Sequence, residues 1–441
     1  MKNLLAVLAM IVPAVAAAQG RTPKRPSLPS GVWLAGVVVR TDTSWTSYTL
    51  RFAGDSINGE SNSAQAWKMF GAIRGDSVDI VQYWDSVRVR GRFHGAIKAG
   101  RIVGMRMLSS TAGAALTDTA AWFAEPQPVR AGPPRSFAFE PTEFHRRFSG
   151  AIPPALRIFP GDTVKTRTVD AGGVDWNGVR RSSGGNPETG PFYVEGALPG
   201  DVVAIHLHKV RLNRDFASAG SSIVSNALTP GLARGLPEVS GFNSRWKLDR
   251  TRGFAMLDVP TKPLTGFEVP LRPMMGCIAV APGQKQAIRT GDSGPFGGNM
   301  DYNRIREGAT VYLAVNEPGA LVFIGDGHAA QGDGELSGDA LETSMDVEFS
   351  VDILHNYSIG TPRAEDADYR MSIGIAGDLQ EALRQATADM ARWLAADFKL
   401  NGAELASVFG SAMEYDVADL VGTQMSIVAK MPKSALARLP R

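Results

Sequence analysis

The chain has 441 residues, is 44% hydrophobic, and carries 46 Lys and Arg against 44 Asp and Glu, a net charge of +2. That length suits two or three domains with sizeable cores, and the balanced charge, with no basic block beyond residues 21–25, leaves no electrostatic footprint for nucleic acid. The single cysteine, Cys277, excludes an intrachain disulfide, so an exported form must rest on its core.

The first eighteen residues have the pattern of an export signal. Lys2 supplies the charge, residues 4–18 the apolar run, and Ala16-Ala17-Ala18 a small-residue cleavage site. Pro13 and the shortness of the run speak against a membrane span. The expected location is therefore periplasmic or extracellular, with no membrane attachment after cleavage. Residues 19–30, rich in Pro, Ser and basic side chains, read as a linker.

Residues 31–123 alternate apolar and polar side chains in short runs such as Tyr48-Thr-Leu-Arg-Phe52 and Ser77-Val-Asp-Ile-Val81. Asn58-Gly59 and Arg74-Gly-Asp76 supply turns between them. This predicts a small antiparallel β domain, either a sheet or a barrel. His94 beside Phe93 reads as a packing or surface residue. Residues 124–136 hold four prolines and predict a linker outside regular structure.

From residue 137 to 441 the pattern predicts a second, β-rich domain. Strand candidates include Thr163-Val-Lys-Thr-Arg-Thr-Val169, Asp201-Val-Val-Ala-Ile-His-Leu-His208 and residues 345–353, where Met345, Val347, Phe349, Val351 and Ile353 share one face. Residues 212–256 show no periodicity and predict a surface excursion or a lid. Asp378, with Glu381 three positions on, predicts a capped helix whose apolar stripe is Leu379, Leu383, Ala386, Met390, Trp393 and Leu394. A second helix is expected over 402–410.

The chemistry concentrates in Gly297-Gly-Asn-Met-Asp301 and Gly325-Asp-Gly-His-Ala-Ala-Gln-Gly-Asp-Gly-Glu335. Asp326 and His328 are two apart, so on an extended strand they leave the same face. Asp333 and Glu335 repeat the spacing. Imidazole with carboxylates suits zinc or another first-row ion better than calcium, which takes oxygen alone. The alternative is a tight hairpin whose acids are solvated or cap turns. Asp301 serves equally as ligand or as turn cap. His145 and Asp170 are further isolated candidates, Asp170 more simply a turn former. His206 and His208 are also two apart, but Lys209 and Arg211 after them favour a solvent-facing edge. Cys277, in an apolar strand, reads as a buried thiol; it and Ser293 are the nucleophiles available to a covalent mechanism.

Residues 137–435 resemble the acetamidase/formamidase family. The likeness is carried, in order, by Phe159-Pro-Gly-Asp-Thr-Val164, Thr189-Gly-Pro-Phe-Tyr-Val-Glu-Gly-Ala-Leu-Pro-Gly-Asp201, Gly276-Cys-Ile-Ala-Val-Ala-Pro-Gly283 and the two glycine-rich segments. The resemblance implies a β-sandwich with a few C-terminal helices, so that the whole chain is a β-rich α+β protein. It also implies hydrolysis of small linear amides to acid and ammonia, a bound divalent metal and a homo-oligomer. By position, Asp301, Asp326, His328 and Glu335 fall on the family's polar motifs, and Glu342 on an acid that follows them. His145 lies where the family often has an early histidine. The expected roles are His328, Asp326, Asp301 and His145 as ligands, probed first as a zinc site, with Glu335, Glu342 and Asp301 in catalysis. The rival expectation is an exported binding protein that keeps the fold without the activity.

Overall fold

A computed structural model describes residues 28–440, apart from residue 41, residues 63–64 and residues 237–240. The expected export signal, and all but the end of the linker after it, lie outside the described residues. Among the described residues no helix is long and apolar enough to cross a membrane.

The front of the chain is a closed barrel of eight antiparallel strands in sequence order, from Gly31–Val39 to Asp118–Pro126. Closure comes from these two strands, which pair from Trp33 opposite Pro126 to Val38 opposite Ala121. The period-2 pattern explains the fold: in Ser77–Tyr83 the buried positions are Val78, Ile80 and Gln82, and every other side chain faces outward. Trp33, Trp122, Leu50, Ile57, Met69, Ile80 and Phe93 fill the interior. The barrel's last strand enters the segment expected to be linker. Residues 124–126 stay paired because Pro126, as the terminal strand residue, removes no central ladder donor.

The rest of the chain has the expected β-rich α+β architecture. An eleven-stranded sheet and a nine-stranded sheet pack face to face. Ile278, Val322 and Ile324 of the first meet Val203, Ile205, Phe349 and Val351 of the second in one core. The helix Leu379–Phe398 lies over strands Tyr369–Ala376 and Met425–Pro432, with Met390, Trp393 and Leu394 packed against Ala429 and Met431. Its Asp378 cap accepts from the Glu381 backbone N–H at 2.9 Å. Leu379 and Leu383 are 38% and 40% exposed, so the buried stripe begins later than the sequence pattern placed it. The second helix runs Gly402–Ala412 behind an Asn401 capping box.

Residues 212–256 are not an irregular excursion. They supply strands Phe216–Ser218, Arg245–Asp249 and Phe254–Leu257 to the eleven-stranded sheet, plus the short helix Pro230–Gly235. Strands of three to five residues are too short to impose a visible alternation.

Candidate active site

Two adjacent strands form the floor of the site. Met274–Ala279 pairs antiparallel with Val322–His328, placing Met275 opposite Gly327 and Cys277 opposite Gly325. Asp326 and His328 project together from the second strand, as their spacing required, and His328 Nε2 lies 3.3 Å from Asp326 Oδ2. The short strand Glu342–Thr343 pairs next to it with Glu342 opposite His328, and Glu342 Oε1 is 3.1 Å from Nε2. Asp301 follows strand Gly297–Asn299; its backbone N–H donates to Gly276 O at 3.1 Å, and its Oδ1 is 3.9 Å from Nε2. Glu335 reaches in from the loop beyond His328, with Oε1 at 4.0 Å.

Two more acids complete the cluster, and the sequence had not singled them out. Glu188, immediately before strand Thr189–Val194, sits against Gly325, where a Cβ would lie 2.4 Å from its Oε2. Asp419 ends strand Glu414–Asp419 of the other sheet and is bridged to Gly334. Asp419 had a faint signal, an acid set between Val417-Ala418 and Leu420-Val421, whereas Glu188, between Pro187 and Thr189, had none. Glu188, Asp301, Asp326, Glu335, Glu342, Asp419 and His328 are each at most 5% exposed.

Burying six carboxyls around one imidazole is electrostatically unfavourable unless protons or cations compensate. Burial, followed by the charge of Asp326, raises Glu188 well above the usual carboxylate range. Burial, then Glu335 and Asp326, does the same to Asp301. Burial lifts Glu342 to about 8 and Asp419 to about 6. Burial alone would lower His328, but Glu342 and Asp326 more than offset this and hold it well above its ordinary value. The backbone is constrained as well: Asp301, Asp326 and Glu335 have φ of 43°, 53° and 48°, a left-handed region that a glutamate enters at a cost.

This donor set fits a divalent cation. Asp301 Oδ1, Asp326 Oδ1, Glu342 Oε2, both Glu188 oxygens and His328 Nε2 are buried without a hydrogen-bond partner. His328 Nδ1 is 2.8 Å from Gln331 Oε1, and the Gln331 amide in turn donates to the Asp301 carbonyl. That arrangement places the ring proton on Nδ1 and leaves the Nε2 lone pair facing the acids. Ligand atoms from Asp301, Asp326 and His328 lie within 4.8 Å of one another, as do those from His328, Glu335 and Glu342 and those from Asp301, Glu335 and Asp419.

Gly276 is the bare base of this cradle. A Cβ there would meet Asp301 Oδ1 at 2.4 Å, Asp326 Oδ2 at 2.5 Å and His328 Cε1 at 2.9 Å. Gly276→Ala is therefore expected to fold, because the backbone there needs no positive φ, yet to lower retained metal by about tenfold or more. Elemental analysis after dialysis measures this, and an unchanged metal content would show that ions bind elsewhere.

Other sequence candidates fall outside the cluster. Asp333 is exposed and accepts from the Asn303 amide at 2.7 Å, because the chain leaves the strand after His328 and the two-residue spacing no longer fixes a face. His145 belongs to none of the three ligand groups; it is bridged through its backbone to Glu188, and its ring lies edge-on to Phe323 at 6.4 Å. His206 and His208 bond Thr310 and Ser350. Asp170 holds a turn and pairs with buried Arg214 at 2.5 Å; Arg214 also donates to the Glu342 carbonyl, steadying that strand. Desolvation, followed by the charge of neighbouring Glu188, raises the buried Cys277 thiol well above its ordinary value, away from the reactive range.

Residues 277–395 match the Acetamidase/Formamidase family model. The matched span contains Cys277, Asp301, Asp326, His328, Glu335 and Glu342; Glu188 and Asp419 flank it. A formamidase by name, from Schizosaccharomyces pombe, is 25% identical over 277 residues, 50% of this chain and 66% of that relative, so this chain spans just under two thirds of its length. Among solved structures, an acetamidase from Yersinia enterocolitica is 28% identical, covering 71% of this chain and 96% of that one with a TM-score of 0.60. An acetamidase from Bacillus halodurans is 26% identical, covering 69% of this chain and 100% of that one with a TM-score of 0.59.

Proposed function

We propose that this chain hydrolyses a linear amide, R–CO–NH2 + H2O giving the carboxylic acid and ammonia, at the cluster around His328. The observation that carries this is the set of buried carboxylates whose oxygens, with His328 Nε2, converge without hydrogen-bond partners. The family match and the acetamidase neighbours support the same chemistry.

Asp301, Asp326 and His328, the ligand group that does not include Glu335, would hold a divalent ion, with zinc the first candidate from the imidazole–carboxylate mix. When bound, such an ion polarises a carbonyl and makes water more acidic. Glu335 stands at the boundary between the cluster and the open groove beside it, so it is the acid a substrate meets. Burial raises its carboxyl and so makes its ionised form a stronger base, suited to take a proton from the attacking water and return it to the departing nitrogen. Gln331 holds the imidazole in orientation, and Glu188 and Asp419 shape the field behind the ligands. The proposal includes export, from Lys2 and the apolar run after it.

Glu335→Gln tests the proton-carrying role. It is expected to lower kcat by about 10²–10⁴-fold while metal content holds near the parent value. Ammonia release from formamide and acetamide, measured with and without chelator, tests the whole scheme. Turnover that survives removal of all metal would overturn it.

A further inference from the structure

We infer that the substrate carries a bulky apolar acyl group, phenylacetamide-like rather than acetamide-like; this rests on the amidase function proposed above. A groove of about 470 Å³ opens directly onto the cluster. Gln331 and Glu335 line its inner end, and both touch the His328 constellation: Gln331 through Nδ1, Glu335 at 4.0 Å from Nε2. Trp246, Leu264, Phe267 and Leu336 line its walls. Phe267 and Leu336 are 50% and 45% exposed, and Phe267 stands edge-on to Trp246 at 6.3 Å.

A few polar groups beside aromatic and aliphatic walls are the anatomy of a small-molecule pocket that orients a ligand. The carboxamide belongs at Glu335, where the cluster can act on it, and the acyl group then extends along Trp246 and Phe267. Formamide and acetamide fill only a small fraction of this volume and leave the aromatic walls in water. Trp246 comes from strand Arg245–Asp249, in the region that shows no periodicity in the sequence, Leu264 and Phe267 from the segment leading into strand Glu268–Pro270, and Leu336 from the loop after Glu335, so short strands at the sheet's edge supply much of the groove.

The test measures kcat/KM for acetamide, butanamide, hexanamide and phenylacetamide with the metal-loaded full chain, alongside calorimetric binding of each amide. The expected result is a rise of about fourfold per added methylene, from burial of apolar surface. Trp246→Ala and Phe267→Ala should each lower kcat/KM for phenylacetamide by about tenfold, chiefly through KM, while acetamide turnover stays within about twofold of the parent. Phe267 is half exposed, so its truncation leaves folding intact even if Trp246→Ala does not. Efficient acetamide turnover with no gain along the series overturns the acyl-group proposal alone. Tight phenylacetamide binding lost in Phe267→Ala, but without turnover of any amide, supports the groove and overturns the hydrolytic function. No binding and no turnover overturns both.

Discussion

His328→Ala is expected to abolish metal retention and to lower amide turnover by at least about 10³-fold, the largest single effect in the molecule. The imidazole is the sole nitrogen donor among the ligand groups around it, and its Nε2 lies within 4.0 Å of carboxylate oxygens from Asp301, Asp326, Glu335 and Glu342. Alanine also removes the group that, among the described residues of these ligand groups, is the one able to carry positive charge. Leaving buried acids unopposed costs about 3–5 kcal/mol. His328→Lys separates the two losses, since it keeps a group able to carry positive charge while lacking the imidazole. Metal analysis, ammonia release and thermal unfolding of both variants check the result. A fully active, metal-loaded His328→Ala protein would remove the cluster from the mechanism.

Removing the ion from the parent protein should make its stability fall steeply with pH. Glu342 rises from 4.5 to about 8 on folding and Asp419 from 3.8 to about 6, chiefly through burial. Below the unfolded values both states hold these protons and there is no penalty. As pH climbs, the unfolded chain releases its protons first while the folded chain retains them, and stability drops until the folded values are passed. His328, held above its usual value, acts in the same direction: its favourable contribution is present at low pH and is lost on deprotonation. Glu342 alone amounts to on the order of 5 kcal/mol between about pH 4.5 and 8. A bound ion takes the place of those protons, so the loaded protein should lose little over the same interval. Melting curves at pH 5 and pH 8, with and without chelator, measure the difference. The chelated sample should unfold several degrees lower at pH 8 and nearly with the loaded sample at pH 5. Coincident curves at both pH values would mean that no ion compensates the acids.

Much of the site was legible in the sequence because it lies within one strand and its neighbours. Asp326 and His328 obey strand periodicity, and Glu342 follows closely enough to pair back onto His328. Glu188 and Asp419 come from distant segments, and only sheet registry brings them in. The Asp333–Glu335 pair failed as a pair because the spacing rule holds on a strand and the backbone there is a turn. The barrel strands were legible from alternation, whereas closure depends on pairing the first with the eighth, a contact that no local pattern encodes. Residues 212–256 illustrate the same point from the other side: their short strands are ordered by the sheet they join, with little periodicity of their own.

Ring closure of the leading module has a consequence for assembly. Every strand from Gly31 to Pro126 already has a neighbour on both sides, so that module offers no free rim of main-chain amides and carbonyls onto which a foreign strand could dock. The sandwich behind it does, at terminal strands such as Glu268–Pro270 and Ser136–Ala138. Copies of this chain that join by sheet extension must therefore meet through an edge of the sandwich and not through the eight-stranded module.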